Sequence, residues 1–309
     1  MEQFIIYILQ VILVPLMAPL AVGVINSIKA KMQRRRGASI FQPYRNIWKL
    51  LHKDEVISTD ASWITRAAPF IIFAGTVLVG ASIPLFSLVL HMPTGELLTI
   101  VYLLAGGTFF LALLGMDAGG AFGGFGSSRE VTVSALAEGS FVFSILTLVM
   151  LCGTTDLTSI VQNVASNYGH SIIPIFLAFC GFMVVLLAEA KRFPFDNPDT
   201  HLELTMIHEA MILECSGKRL ALMEWAGANK LFIFASMAVT LFFPVGLAGD
   251  MNIVSALAGV GILLAKVFAV CVFVAVLEST IAKFRFFRLP DLLFTAFILN
   301  IVAVGLVVL

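Results

Sequence analysis

Apolar residues run through this chain in long blocks, and charged residues gather in the stretches between them. A membrane-spanning helix needs about 20 predominantly apolar residues. Eight blocks approach or exceed that length, at 4–28, 67–90, 97–115, 131–152, 171–190, 230–249, 253–278 and 290–309. The pattern predicts an all-α integral membrane protein with about eight transmembrane helices in a single membrane domain over 1–309. Met1-Glu2 gives the first block no basic start, so it is expected to stay as a span rather than leave as a signal peptide.

Two intervening stretches have a periodicity of their own. From Ile40 the residues Ile40, Phe41, Tyr44, Ile47, Trp48 and Leu51 occupy one helix face, while Gln42, Arg45, Asn46, Lys49 and Lys53 occupy the other. This predicts an amphipathic surface helix over 40–53, either a lipid anchor or a docking surface for a soluble partner. The stretch 191–228 is acidic, with Asp196, Asp199, Glu203, Glu209, Glu214 and Glu224. Asn197-Pro198 suits a helix start and Gly217 a helix end. On one helix Asp199, Glu203 and Glu214 would share a stripe, with His201 and His208 opposite. Such a stripe either lines a hydrated cavity or forms a solvated acidic face.

Composition agrees with the blocks. Of the 309 residues 60% are hydrophobic and 12% charged, and the mean hydropathy is +1.01. Soluble domains carry about 25% charged residues, so this chain lacks the material for a water-facing surface. Its 27 Phe suit lipid contact. A cytosolic enzyme, a nucleic-acid binder and a disordered chain are excluded.

The net charge is zero, with 19 basic and 19 acidic residues, yet the basic ones are placed unevenly. Lys29, Lys31, Arg34, Arg35, Arg36, Arg45, Lys49, Lys53 and Arg66 lie between blocks one and two, in a basic stretch over 29–66. Arg129 lies between three and four. Lys191, Arg192, Lys218, Arg219 and Lys230 lie between five and six, and Lys283, Arg285 and Arg288 between seven and eight. Lys266 alone sits within a block. Basic residues near span ends stay cytoplasmic, which places these four connectors inside and both termini outside.

Other motifs are quiet. Cys152, Cys180, Cys215 and Cys271 form no CxxC pair, so no cofactor or metal is expected in this chain. The glycines 119, 120, 123, 124 and 126 lack the Lys-Ser/Thr ending of a phosphate loop and read as a closely packed loop. Ionisable groups at bilayer depth cost about 2.5–3.5 kcal/mol and are by default candidates for an ion path. Here they are Glu130, Glu138, Glu189, Lys266 and Glu278, with Glu138 and Lys266 the deepest. They form either a proton route or, for Glu138 and Lys266, an interhelical ion pair, with Glu130, Glu189 and Glu278 simply solvated near the interface.

Four blocks in order resemble the subunit 1 family of respiratory complex I, above all the branch found in membrane-bound nickel–iron hydrogenases such as formate hydrogenlyase and hydrogenase 4. They are Arg35-Arg36-Gly37 with Gln42-Pro43-Tyr44-Arg45 and Lys49-Leu50-Leu51; Leu114-Gly115-Met116-Asp117 with Gly126-Ser127-Ser128-Arg129-Glu130; Glu189 through Asp196 with Asp199 and Glu203-Leu204; and Lys266 with Leu277-Glu278-Ser279 and Ala282-Lys283-Phe284-Arg285. Ala38 stands where the family usually has Pro, Asn46 where the hydrogenase branch commonly has Asp, and His201 where a second acid is usual.

The resemblance implies a membrane coupling subunit of the prokaryotic inner membrane. Its partners would be the hydrogenase large and small subunits, an Fe–S subunit and antiporter-like membrane subunits, with Fe–S clusters and the Ni–Fe centre held by those partners. The arm would dock on Arg35, Arg36, Gln42, Arg45, Lys49, Asp196, Asp199 and Glu214. Protons would pass along Glu203, Glu189, Glu130, Glu138, Lys266 and Glu278. The alternatives are the quinone-site subunit of a complex I-type oxidoreductase, where quinone would be a ligand, a stand-alone secondary transporter, and a structural anchor whose acids only pair.

Overall fold

The computed structural model describes residues 2–89, 94–167, 172–196, 206–250, 252–281 and 286–308. They form α1 (Glu2–Met32), α2 (Gln42–Leu51), α3 (Trp63–Ser82), α4 (Leu97–Asp117), α5 (Ala121–Cys152), α6 (Leu157–Asn167), α7 (Ile172–Glu189), α8 (His208–Ile212), α9 (Gly217–Leu241), α10 (Ile253–Thr280) and α11 (Leu289–Val308). No named β-strand occurs among the described residues; the all-helical expectation holds. Seven helices, α1, α3, α4, α5, α7, α10 and α11, are long and apolar enough to cross a bilayer. Phe70, Tyr102, Phe109, Ile173, Phe176, Phe268 and Phe294 project from them unburied, as lipid-facing side chains do.

The expected span 230–249 is the exception to the sequence pattern. Residues 231–241 of it are the second half of α9, which starts at Gly217, carries Lys218, Arg219, Glu224 and Lys230 before them and ends at Leu241. From Leu231 to Leu241 every residue is buried. A helix that is apolar all round belongs inside protein, and α9 packs against α1, α2, α3, α6, α7 and α10. Its centre joins an aromatic cluster in which Phe234 lies 5.4 Å from Phe141 and 6.0 Å from Phe182 between ring centroids.

The connectors meet in two groups, one at each end of the bundle. At one end Val56 N–H donates to Ser216 Oγ (2.8 Å), and Arg219 pairs with Glu55 (2.7 Å). There too Ser62 N–H and Thr65 N–H each donate to Asp117 Oδ2 at 3.0 Å, so a carboxylate from α4 caps the start of α3. At the other end Ala248 N–H donates to Phe86 O (2.8 Å), Leu88 N–H to Ala248 O (3.0 Å) and Leu97 N–H to Thr155 O (3.1 Å). α9 therefore runs from end to end. Gln10 of α1 donates to Ile83 O at this second end (2.5 Å), which puts the start of α1 there.

Several expected connectors fold differently. The glycine-rich stretch is closely packed but helical from Ala121, because Gly123 lets the α5 backbone approach α4 so closely that a Cβ would lie 2.0 Å from Gly115 O. The 191–228 stretch becomes helix α9 from Gly217, which sits at the start of that helix with φ +52 rather than at the end of another. The loop helix expected to begin at Asn197-Pro198 falls on residues outside those described, and the next described helix is the single turn α8. Glu214 lies beyond α8 and is exposed. α2 matches the predicted surface helix, but Ile47 and Leu50 of its apolar face pack on Ala221 of α9, while Phe41 and Trp48 stay exposed.

Candidate functional site

Four of the sequence-flagged carboxylates meet cations, or the neighbourhood of one, toward the basic end of the bundle. α7 ends at Glu189, and the chain turns sharply there. Lys191 N–H donates to Ala188 O (3.2 Å) and Arg192 N–H to Leu187 O (2.9 Å), the paired bonds of a Schellman motif. The left-handed position of that motif normally holds Gly, yet Lys191 occupies it with φ +54. A side chain in this conformation costs about 1–2 kcal/mol. The turn sends successive cations to different helices.

Lys191 Nζ meets Glu130 of α5. Arg192 Nη1 lies 3.4 Å from Glu278 Oε1 of α10, and Lys29 Nζ of α1 lies 3.3 Å from Glu278 Oε2. Side chains here are almost sealed, 0% exposed for Glu278 and 7% for each of its two partners. Lys230 Nζ of α9 lies 2.5 Å from Glu189 Oε2 and 3.5 Å from Thr108 Oγ1 of α4. Buried charges survive when paired in this way, because each ion replaces water lost by the other.

Glu138 stands apart. It is half-buried on α5, two helical turns beyond Glu130, and accepts a hydrogen bond from Ser134 Oγ (3.1 Å). No ion pair reaches it among the described residues, although the charges of Glu189 and Lys230 act on it. The interhelical pair that was the alternative for Glu138 and Lys266 does not form. Lys266 Nζ donates instead to Phe243 O (2.8 Å) and to Val245 O (2.5 Å), carbonyls just past the end of α9.

A cavity of about 350 Å³ adjoins the paired charges. Glu189, Lys191, Arg192, His208 and Lys230 give it a polar wall, and Pro19, Ile72, Leu104 and Leu111 an apolar one. Pro19 removes the N–H that would bond Pro15 O, and the Trp225 indole N–H of α9 takes that carbonyl instead (2.8 Å). The turn also buries Asp196, which accepts from His208 N–H (3.0 Å). Burial, reinforced by the Lys191 charge, pushes the His208 imidazole down to about 4, so it is neutral at pH 7. Burial likewise pulls Lys191 well below the ordinary lysine range, with Lys230 adding to the effect and Asp196 opposing it.

The residues expected to meet a soluble arm divide. Arg35, Arg36, Arg45, Lys49 and Glu214 are exposed at the basic end. Gln42 is half-buried and donates to Asn46 Oδ1 (3.0 Å), while Asp196 is buried and acts through the backbone of α8. Asp199, His201 and Glu203 lie outside the described residues.

The sequence reading missed the partners. Lys29, Lys191, Arg192 and Lys230 were counted only as topological charges. Each meets an acid 41 to 249 positions away, Lys230 with Glu189 being one such pair and Lys29 with Glu278 another; only Lys230, set against an apolar run, carried a local hint.

The chain matches the family described as NADH dehydrogenase over residues 4–309. It is 32% identical to hydrogenase-4 component C of Escherichia coli (strain K12), covering 95% of this chain and 92% of that one. It is 27% identical to formate hydrogenlyase subunit 4 of the same organism, covering 94% of each. An NADH-quinone oxidoreductase subunit of Solibacter usitatus (strain Ellin6076) is 30% identical over 74% of this chain and 61% of its own length. Among solved structures, a chain of the archaeal membrane-bound sulfane sulfur reductase complex superposes with a TM-score of 0.84 at 20% identity, covering 99% of this chain and all of that one. A bundle of apolar helices with buried charges at one end, matched along its whole length, is a multi-pass membrane protein of the NADH dehydrogenase family, to which this chain belongs.

Proposed function

We propose that this chain is the membrane coupling subunit of a redox-driven, ion-translocating hydrogenase complex in the prokaryotic inner membrane. The observation that carries the reading is the full-length similarity to hydrogenase-4 component C, together with the half-buried or buried Glu138, Glu189, Glu130 and Glu278, of which Glu189 lines the cavity. In this reading the basic end faces the cytoplasm, and Arg35, Arg36, Arg45, Lys49 and Glu214 receive a peripheral arm of large, small and Fe–S subunits. That arm holds the Fe–S clusters and the Ni–Fe centre. Antiporter-like subunits adjoin the bundle in the membrane. Charge change in the arm is felt at the cavity, and protons pass through these carboxylates.

Isolation of the complex from native membranes through a tag on this chain tests the reading. Co-purifying hydrogenase subunits, hydrogen chemistry and proton uptake by vesicles are expected; a complex with neither hydrogenase subunits nor hydrogen activity refutes it. The cavity, apolar on one wall and polar on the other, favours one second reading, a quinone-site subunit. Quinone-dependent electron transfer by the purified complex would decide for it.

A further inference from the structure

We propose that the exposed face of α10 beside Lys266 receives a membrane-spanning helix of a second subunit, and that this helix brings a carboxylate to the lysine inside the bilayer. The inference rests on the reading above that this chain works within a membrane complex, and adds to it one interface and the group that recognises it. Lys266 lies midway between Ile253 and Thr280, the two ends of α10. At 1.5 Å per residue it is about 20 Å from each end, deep in a hydrocarbon core about 30 Å thick. Its Nζ donates to Phe243 O at 2.8 Å and to Val245 O at 2.5 Å, and both bonds are exposed at the bundle surface. An ammonium has three N–H donors and a full charge. Two neutral carbonyls supply no counter-ion, and none of the ion pairs among the described residues includes Lys266. Lys29, Lys191 and Lys230, by contrast, each meet a carboxylate.

The lysine is held where it stands. Gly246, at φ +79, comes so close to α10 that a Cβ on it would lie 2.7 Å from Ile262 Cδ1, so the turn that carries the two carbonyls is pressed against α10 one helical turn from Lys266. A lipid phosphate cannot supply the missing charge, because phosphates stay at the rims of the core and lysines reach them only from near helix ends. A carboxylate carried by a protein helix can. The neighbouring face is open to such a helix. α10 packs mainly on α1 and α9, and Val254, Leu257 and Phe268 project from it unburied. Gly261, Ala265 and Ala269, spaced by four, are exposed among them, with open space around Gly261. At about 100° per residue these three fall within about 80° of one another, and Lys266 borders them about 60° from Ala269. Small residues at this spacing let a second backbone approach closely in lipid. They set the distance, and Lys266 at their edge selects the occupant: a helix with Asp or Glu in the middle of an apolar span.

The test isolates the complex from native membranes through a tag on this chain and measures each other membrane subunit per copy of the tag. Lys266→Met and Lys266→Glu are expected to lower one of them roughly tenfold or more, the effect of removing one partner of a buried charge pair. Lys266→Arg, which keeps the charge, retains that subunit. Gly261→Leu, which leaves the lysine and its carbonyls in place, is expected to lose the same subunit, whereas Gly305→Leu on α11, also in open space, loses none. A photo-crosslinking residue at Ala265 captures a helix with Asp or Glu inside an apolar span, and exchanging that acid for Lys restores the subunit to the Lys266→Glu complex. Full occupancy of every membrane subunit in Lys266→Met and Lys266→Glu overturns the proposal, as does full occupancy in Gly261→Leu or an equal loss in Gly305→Leu. So does a crosslink at Ala265 to lipid alone or to a helix without an acid. Those results leave the complex itself standing; a wild-type preparation with no second membrane subunit overturns the functional reading and the interface together.

Discussion

Replacing Glu278 by Gln isolates the energetics of the buried pairs. The carboxylate faces Arg192 at 3.4 Å and Lys29 at 3.3 Å, with no side chain of the three more than 7% exposed. At an effective dielectric of about 20, each contact is worth roughly 5 kcal/mol of attraction. Desolvation of three ions consumes most of that, so the triad contributes little net stability. Removing the carboxylate alone leaves both cations desolvated and facing each other. The expected loss is about 3–5 kcal/mol. The assay is heating of the detergent-solubilised protein at a fixed scan rate, followed by gel filtration of the surviving monodisperse fraction, because unfolding of such a chain is governed by rate. Glu278→Gln should lose its monodisperse peak several degrees below wild type. Glu278→Gln with Lys29→Met should recover about 1–3 kcal/mol of that loss, the coupling expected of contacting ions. A single variant that survives to the wild-type temperature, with no recovery in the double, refutes the electrostatic account.

Three further outcomes are expected from the same structure. Asp117→Ala removes the acceptor of Ser62 and Thr65 at the start of α3 and should cost about 2 kcal/mol, seen as a lower apparent melting temperature; Asp117→Asn should cost less. Gly123→Ala drives a Cβ to 2.0 Å from Gly115 O and should destabilise by about 1–3 kcal/mol, whereas Gly124→Ala, with open space around it, should stabilise by about 1 kcal/mol. His208 is held at about 4 in the fold against 6.5 when free. Its contribution is complete above pH 6.5 and is lost as pH falls, because the unfolded chain then takes a proton that the folded one refuses until about pH 4. The loss amounts to about 3 kcal/mol, and in a His208→Gln protein melting temperature should fall less steeply between pH 6.5 and pH 4.

Local pattern carried most of the fold. Seven apolar blocks became helices, because in lipid a long apolar run has no other way to satisfy its backbone, though α3 stops at Ser82 and α5 starts as early as Ala121. α9 was half hidden, because Lys218, Arg219, Glu224 and Lys230 read as connector, although they belong to the same continuous helix as the buried apolar run 231–241. Gly123 and Gly126 read as loop, since glycine disfavours helices by about 1 kcal/mol, yet here they allow backbones to meet. α6 was missed because its 11 residues mix polar and apolar positions too evenly to form a block. At the site, the acids were visible as charges in apolar surroundings. Their partners were not, since Lys29 finds Glu278, and Lys230 finds Glu189, only through tertiary packing. Lys266 shows the converse: a lysine within an apolar block whose ammonium is taken up by backbone carbonyls just past the end of α9.

The sheathing of α9 has a consequence for how the chain is made. A helix with Glu224, Asn229 and Lys230 on it gains little from dissolving in lipid by itself, and the cost of each charge at bilayer depth works against entry. Of the helices it packs on, α1, α2, α3, α6 and α7 all precede it in the chain, and only α10 comes after. By the time α9 leaves the ribosome, the walls of its site have already been synthesised. The protein thus serves as solvent for its own most polar crossing segment, and the order of synthesis supplies that solvent in time.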